Sequence, residues 1–330
     1  MKVLVVGGAG YIGSHTVRAL RDVGHDPIIF DNLVTGHAAA VQRLGVPFVE
    51  GDLNHPVDIY RALNEHRVEA VMHFAAFCYV GESVRNPSKY YQNNVVGTIQ
   101  LLEAMRSCAV KLCVFSSTCA TYGVPTAPML NESHPQRPIN PYGWTKLMVE
   151  QMLVDYDHAY GMKYAALRYF NASGSSADGL LGEDHTPETH LIPLCLLVAK
   201  GVRDNLSIFG TDYDTFDGTC IRDFIHVEDL AEAHVRALDH LSGKGESLAI
   251  NIGTGTGHSV REVVRCTEEV TGLPVHVVES PRRDGDAPVL VADATMARDV
   301  LNWRPKYTEL KPIVETAWKW FQQCGHYPKA

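Results

Sequence analysis

The run Val3-Leu4-Val5-Val6 leads without a break into Gly7-Gly8-Ala9-Gly10-Tyr11-Ile12-Gly13. An apolar stretch that ends in Gly-x-x-Gly-x-x-Gly and then resumes with helical periodicity restricts the chain to a strand, a tight turn and a helix, in that order. Glycine lets the backbone turn sharply and lets a pyrophosphate approach it closely, while the helix N-terminus offers unpaired amides and a partial positive charge. Alone, such a fingerprint is common by chance. Here a second strand ends at Asp31, eighteen residues after Gly13, where a carboxylate accepts hydrogen bonds from adenosine ribose hydroxyls. The following Asn32-Leu33-Val34-Thr35 holds no arginine to meet a 2′-phosphate. The pattern therefore favours NAD over NADP.

The alternation continues. Lys2 to Val6, Pro27 to Asp31, Pro47 to Asp52, Ala70 to Ala75, Lys111 to Ser116 and Tyr164 to Tyr169 read as strands. Between most of them, Ile12 to Val23, Asp58 to His66, Pro87 to Arg106 and Tyr142 to Tyr160 carry the 3.6-residue period of helices. Repeated β-α-β predicts an α/β fold, a Rossmann-type doubly wound parallel sheet covered on both faces. With 330 residues, 45% of them hydrophobic, the chain can bury a full core. After Asn171 the texture turns to Gly, Ser, Asp, Glu and Pro. The division expected is a nucleotide-binding domain over 1–175 and a smaller C-terminal α/β substrate lobe over 176–330. The two interleave if Arg222 to Leu241 and Ser247 to Ile252 return to the large sheet.

Ligands of such sheets bind at the carboxyl ends of the strands. The third strand ends in Gly51-Asp52-Leu53, the fourth in His73-Phe74-Ala75 and the fifth in Phe115-Ser116-Ser117-Thr118. Downstream, Tyr142 and Lys146 stand four apart on one helix face, which Val149 and Leu153 continue toward the core. A free phenol has a pKa near ~10 and is no base at neutral pH. Lowering it by ~3 units takes about 4 kcal/mol, within reach of an ammonium and a nicotinamide cation placed close by in a poorly solvated site. The result is a base that takes a proton from a hydroxyl as hydride leaves the same carbon. A strand-end hydroxyl completes the set. Gly253-Thr254-Gly255-Thr256-Gly257 resembles a second phosphate loop, but its place after a later strand fits a structural turn better.

Composition narrows the rest. A formal charge of −9 argues against nucleic-acid binding. The apolar run after Lys2 stops in glycines too soon for a secretory signal, and no stretch approaches the roughly 18 apolar residues of a membrane span. The eight cysteines form no C-x-x-C pair, and the histidines no H-E-x-x-H. The expectation is a reduced, cytoplasmic protein with no metal.

These residues resemble the extended short-chain dehydrogenase/reductase superfamily and, within it, the family of UDP-galactose (UDP-glucose) 4-epimerases. Besides the glycine turn, the resemblance rests on Val80-Gly81-Glu82-Ser83-Val84, Tyr90-Tyr91-Gln92-Asn93-Asn94, Ser116-Ser117-Thr118, Pro141-Tyr142-Gly143-Trp144-Thr145-Lys146, Leu167-Arg168-Tyr169-Phe170-Asn171, Arg222-Asp223-Phe224-Ile225-His226-Val227 and Pro281-Arg282-Arg283-Asp284-Gly285-Asp286. It runs essentially end to end. It implies tightly held NAD contacted by Gly7, Gly10, Tyr11, Ile12, Gly13, Asp31, Asn32, Asp52, Leu53, Phe74, Ala75, Asn93, Ser116, Tyr142, Lys146 and Phe170. The catalytic set implied is Tyr142, Lys146 and Thr118, acting at C4 of a UDP-sugar through a transient 4-keto sugar.

For that substrate the resemblance implies Thr118, Tyr142, Asn171, the Leu191 backbone, Phe209, Arg222, Arg283, Asp286 and Leu290. Arginines suit a diphosphate because they make planar, bidentate contacts. The adjacent pairs Arg222/Asp223 and Arg283/Asp284 would otherwise read as surface ion pairs. A homodimer through the helices around 87–106 and 142–160 is also implied. The chain departs from the family pattern at Thr118 (commonly serine), Cys78 (often a lysine), His190 (often asparagine) and Leu290, where a gating residue for N-acetylated sugars stands. The dehydratases of the superfamily carry Asp-Glu directly after the strand-end Thr, whereas Cys119-Ala120 stand here. Epimerases of UDP-xylose/UDP-arabinose or of UDP-N-acetylhexosamines, and a non-catalytic NAD-binding regulator, are the alternatives.

Overall fold

The computed structural model describes residues 1–283 and 286–327. A seven-stranded sheet organises the chain. Its strands are β1 (Lys2–Val6), β2 (Asp26–Asp31), β3 (Phe48–Glu50), β4 (Ala70–His73), β5 (Leu112–Thr118), β7 (Lys163–Tyr169) and β11 (Leu248–Ile252). They lie in the spatial order β3-β2-β1-β4-β5-β7-β11, and every neighbouring pair is parallel.

Side chains of β1 explain why its sequence is apolar throughout instead of alternating. Val3 and Val5 enter one core with Val17 and Leu20 of the helix Tyr11–Asp22 and with Leu230 and Leu238 of the helix Val227–Ser242. Leu4 and Val6 enter the opposite core with Ile59 and Leu63 of Pro56–Glu65, Leu101 and Met105 of Gly97–Ser107, and Val149 and Leu153 of Pro141–Tyr160. A strand buried on both faces has no polar face to show. Each such aliphatic side chain contributes about 1.5–3 kcal/mol by burial.

The other strands form a smaller assembly. β6 (Met129–Leu130), β14 (Val289–Ala292), β10 (Ile221–His226) and β12 (Gly257–Ser259) lie side by side, with β8 (Asn171–Ser173) also paired to β10. β9 (Leu206–Phe209) pairs with β13 (Val277–Ser280). The chain then returns to the large sheet. β11 extends it beyond β7 in the register Leu248↔Ala165 to Ile252↔Tyr169. The helix Val227–Ser242 covers one of the sheet's faces beside Tyr11–Asp22. β10 itself stays in the smaller assembly.

The segment expected as one helix over 87–106 is three pieces: Pro87–Tyr90, a π-helical stretch Tyr91–Val96 and Gly97–Ser107. A wider turn shifts the phase of the side chains that follow it. Its effect falls on Asn94, which is buried. The Asn94 Oδ1 accepts from the Phe77 amide at 2.9 Å, and its Nδ2 donates to the Phe77 carbonyl at 3.0 Å and the Thr145 hydroxyl at 3.1 Å. The loop after β4 is thereby clamped to the helix Pro141–Tyr160.

Four histidines, His15, His73, His226 and His234, are at most 2% exposed. Burial pushes His15 and His234 down to about 4 and His73 and His226 to about 3, with Lys146 adding to the effect at His73. In the unfolded chain these rings titrate near the ordinary value of 6.5. Below that value the unfolded state binds more protons than the folded one, so stability falls as pH drops from about 6.5 toward 4. The urea midpoint is expected to be lower at pH 5 than at pH 7.5, and His234→Leu should flatten the dependence. A midpoint unmoved by pH would show that the rings take up protons equally in the folded and unfolded states.

Candidate active site

β1 and β4 are neighbours, yet the chain leaves them toward opposite edges of the sheet, so a crevice opens at their carboxyl ends. A cavity of about 380 Å³ fills it. Its wall is built from the first turn (Gly7, Gly10, Tyr11, Ile12, Gly13) and the ends of β2 (Asp31, Asn32), β3 (Asp52, Leu53) and β4 (Phe74, Ala75). Asn93, Ser116, Thr118, Tyr142, Lys146, Phe170 and Asn171 complete it.

The glycine turn has little room to vary. Gly7 sits at φ +83°, and a Cβ there would stand 2.6 Å from the Ala75 amide nitrogen. At Gly13 a Cβ would overlap the Gly7 carbonyl oxygen. Gly10 meets only that carbonyl, at 3.4 Å, so the space beside it belongs to the cavity. No side chain caps the helix Tyr11–Asp22 and no acid stands in its first turn, which leaves the N-terminal amides and the positive dipole end for an anion. Beside that turn, Asp31 accepts from the Ala9 amide at 3.0 Å and the Leu33 amide at 2.8 Å. Burial raises its pKa against the pull of those amides. The Asn32 side-chain Nδ2 donates to the Asp52 carboxylate at 2.7 Å. An anion-binding helix end beside a fixed carboxylate fits a dinucleotide such as NAD.

Tyr142 and Lys146 lie on the buried face of Pro141–Tyr160, whose first turn is capped by Asn140 accepting from the Gly143 amide at 2.9 Å. Lys146 donates to the Ser116 carbonyl at 2.7 Å, and its ammonium lies 4.8 Å from the Phe115 ring centroid. Burial lowers Lys146 to about 8, while Glu150 works the other way. Burial drives the Tyr142 phenol well above 10, with the Thr118 hydroxyl partly offsetting it. The protein alone thus keeps the phenol neutral, and forming a phenolate requires further positive charge in the cavity. Beside it, the Ser116 hydroxyl and the Tyr169 hydroxyl are 2.5 Å apart.

One turn beyond Lys146, Glu150 points into the same interior. It pairs with Arg168 of β7 at 2.6 Å, both side chains being at most 7% exposed. Glu150 also accepts from Ser117 at 2.5 Å and from Gln136 at 3.0 Å. Arg168 reaches the Tyr122 hydroxyl, which donates to Asn251 of β11. This network ties the helix carrying Tyr142 to β5, β7 and β11. Sequence reading missed it; the signal was a carboxylate at i+8 from Tyr142 on an otherwise buried helix face.

A second cavity, about 410 Å³, adjoins the first, and Asn171, Ala172, Glu183 and His190 line both. Leu191, Phe209, Arg222, Arg283 and Asp286 line the second. The Arg283 guanidinium stacks 3.8 Å from the Phe209 ring centroid. Arg222 does not pair with its neighbour Asp223. It donates to the Ala287 carbonyl at 2.8 Å and approaches Asp286 at 3.4 Å. Asp223 is fully buried and accepts from the Thr254 amide at 2.9 Å, the Thr254 hydroxyl at 2.7 Å and the Gly255 amide at 3.0 Å. Those amides are therefore committed to the fold, and the 253–257 loop is a turn, not a phosphate cradle. Asp284 lies outside the described residues. Leu290 lines neither cavity; it packs beside Tyr122, Leu130, Phe170 and Ala292.

A cavity at the switch point of a doubly wound sheet, walled by a glycine turn and an uncapped helix N-terminus, places the chain among the Rossmann-type nucleotide-binding enzymes. Within that class the chain belongs to the NAD dependent epimerase/dehydratase family, whose model matches residues 3–253. It is 51% identical over 325 residues to the UDP-glucose 4-epimerase of Rhizobium leguminosarum bv. trifolii, covering 98% of each chain. The crystal structure of UDP-glucose 4-epimerase from Brucella ovis in complex with NAD is similar with a TM-score of 0.94 and 52% identity, over 96% of this chain and 97% of that one. The Bifidobacterium longum UDP-glucose 4-epimerase in complex with NAD⁺ and UDP is similar with a TM-score of 0.94 and 37% identity, over 98% and 99% of the two chains. No helix of the described residues is long and apolar enough to cross a membrane.

Proposed function

We propose that the chain interconverts UDP-galactose and UDP-glucose by epimerisation at C4, with NAD held in the first cavity and the UDP-sugar in the second. One observation carries this reading. Tyr142, Lys146 and Thr118 are buried together against the first cavity, and Asn171 joins that cavity to the arginine-lined one. The chemistry NAD supplies when bound is reversible acceptance of a hydride from the sugar carbon. Tyr142 takes the C4 hydroxyl proton and later returns it. Lys146, fixed on the Ser116 carbonyl, stabilises the phenolate, and the Thr118 hydroxyl shares a hydrogen bond with the reacting oxygen. In the second cavity Arg222 and Arg283 meet the diphosphate, Asp286 a ribose hydroxyl and Phe209 the uracil. The Asn171 side chain and the Leu191 backbone complete these contacts.

The same reading takes the material after residue 176 as the substrate lobe, interleaved with the nucleotide domain at Val227 to Ile252. It also takes the chain as a homodimer. Val96 and Ile99 on one helical segment, and Trp144 and Met148 on the other, are 36 to 42% exposed, an apolar surface suited to a second copy. All eight cysteines are free thiols, which supports a reducing, cytoplasmic location.

Proton NMR of the purified protein with UDP-galactose, UDP-N-acetylgalactosamine and UDP-xylose in separate tubes, without added NAD, tests the function. Conversion of UDP-galactose to UDP-glucose is expected. Conversion of only one of the other two would reassign the substrate, and none in any tube after NAD is supplied would overturn the epimerase reading.

A further inference from the structure

Between β8 and the helix Leu191–Ala199 the chain runs Glu183-Asp184-His185-Thr186-Pro187-Glu188-Thr189-His190 without regular secondary structure. The histidines lack the spacing of a helical metal motif, and the sequence assigns no metal to them. Folding brings Glu183, His185, Glu188 and His190 so close that one donor atom from each lies within 4.8 Å of all the others. We propose that these four side chains form a binding site for a single divalent cation of the zinc type, set in the seam between the two cavities.

The distances have the right scale. His190 Nδ1 stands 2.8 Å from Glu183 and 3.0 Å from Glu188, and His185 Nδ1 stands 3.3 Å and 3.7 Å from the same two carboxylates. Ligand atoms bonded at about 2.0–2.2 Å around a tetrahedral zinc are separated by roughly 3.3–3.6 Å. Every one of these contacts uses Nδ1 of its histidine, so both rings present the same nitrogen to one centre. His185 Nδ1 is moreover buried and without a hydrogen-bond partner. It is close to Glu183 yet not aligned to donate to it, which a plain ion pair does not explain and a lone pair directed at a shared cation does.

Charge and chemistry agree. Glu183 and Glu188 are at most 10% exposed as side chains, and two carboxylates so enclosed require compensating charge. One divalent cation with two neutral imidazoles balances them. The mixed nitrogen and oxygen donor set selects zinc over magnesium or calcium, which take oxygen ligands. With protons in place of a cation, burial opposes charge on His185, but Glu183 and Glu188 push the ring up to about 10, so the competing arrangement is a pair of protonated histidines. Glu183 and His190 line both cavities, and the Glu183 carbonyl is held by Trp320 at 3.2 Å. A cation there would fix the wall that the two cavities share.

The test uses the full chain. After incubation with zinc chloride and gel filtration, elemental analysis should find about one zinc per chain, and a chelator should lower the thermal midpoint. The cobalt-substituted protein should show the visible bands of a tetrahedral site. Magnesium should produce none of these effects. His190→Asn and Glu188→Gln should each lose the stoichiometric zinc and the zinc-dependent shift while keeping the far-UV circular dichroism of the parent. Should one variant fail to fold, the other decides. Wild-type protein that takes up no zinc, or folded variants that retain it in full, would overturn the site and leave the protonated histidine pair.

Discussion

Tyr142→Phe is expected to slow the conversion of UDP-galactose by about 10²–10⁴-fold while NAD stays bound. The substitution removes one hydroxyl from a ring that is 9% exposed and leaves the Asn140 cap and the Lys146 contact to Ser116 in place. The fold therefore has no reason to change. What is lost is the only group on this helix face able to exchange a proton with a sugar hydroxyl while Lys146 supplies the positive charge. Turnover by NMR, read beside the nucleotide content of the same preparation, checks this. Undiminished conversion would remove Tyr142 from the chemistry. Lost nucleotide together with lost activity would show that the hydroxyl acts in binding instead.

Arg168→Leu is expected to destabilise the protein by about 3–5 kcal/mol, because it strands the Glu150 carboxylate in the interior without its ion partner. The remaining donors, Ser117 and Gln136, satisfy hydrogen bonding but not the charge. Combining it with Glu150→Leu should recover a large part of the loss, since an apolar pair of similar volume replaces a buried ion pair at little net cost. Urea unfolding of both variants measures this. A single variant within about 1 kcal/mol of the parent would mean that water reaches Glu150 and that the pair does not hold the helix.

What was legible in the chain was local. The glycine turn, the strand ends at Asp31 and Thr118 and the Tyr142/Lys146 spacing each announce themselves within a few residues, because period and turn chemistry are short-range signals. The short helices Ala38–Leu44 and Val80–Arg85 were not, being too brief for periodicity to show. Nor was the π-helical stretch Tyr91–Val96, which places Asn94 against Phe77 and Thr145. Partner choice was the least legible. Asp223 finds the Thr254–Gly255 amides, and Arg222 finds Asp286 sixty-four residues away, although in the sequence the two are neighbours of opposite charge. The family resemblance implied Leu290 for the substrate, and the strand β14 instead turns it into a small apolar cluster with Phe170.

The return of β11 to the large sheet means that a chain ending after β7 would expose the backbone of Ala165 to Tyr169 as an unpaired edge. It would also strip the helix Val227–Ser242 from one face of the sheet. The residues up to the end of β7 therefore neither complete the large sheet nor cover both of its faces by themselves. The segments between strands that line the second cavity, at His190 and Arg283, can vary with the sheet left whole.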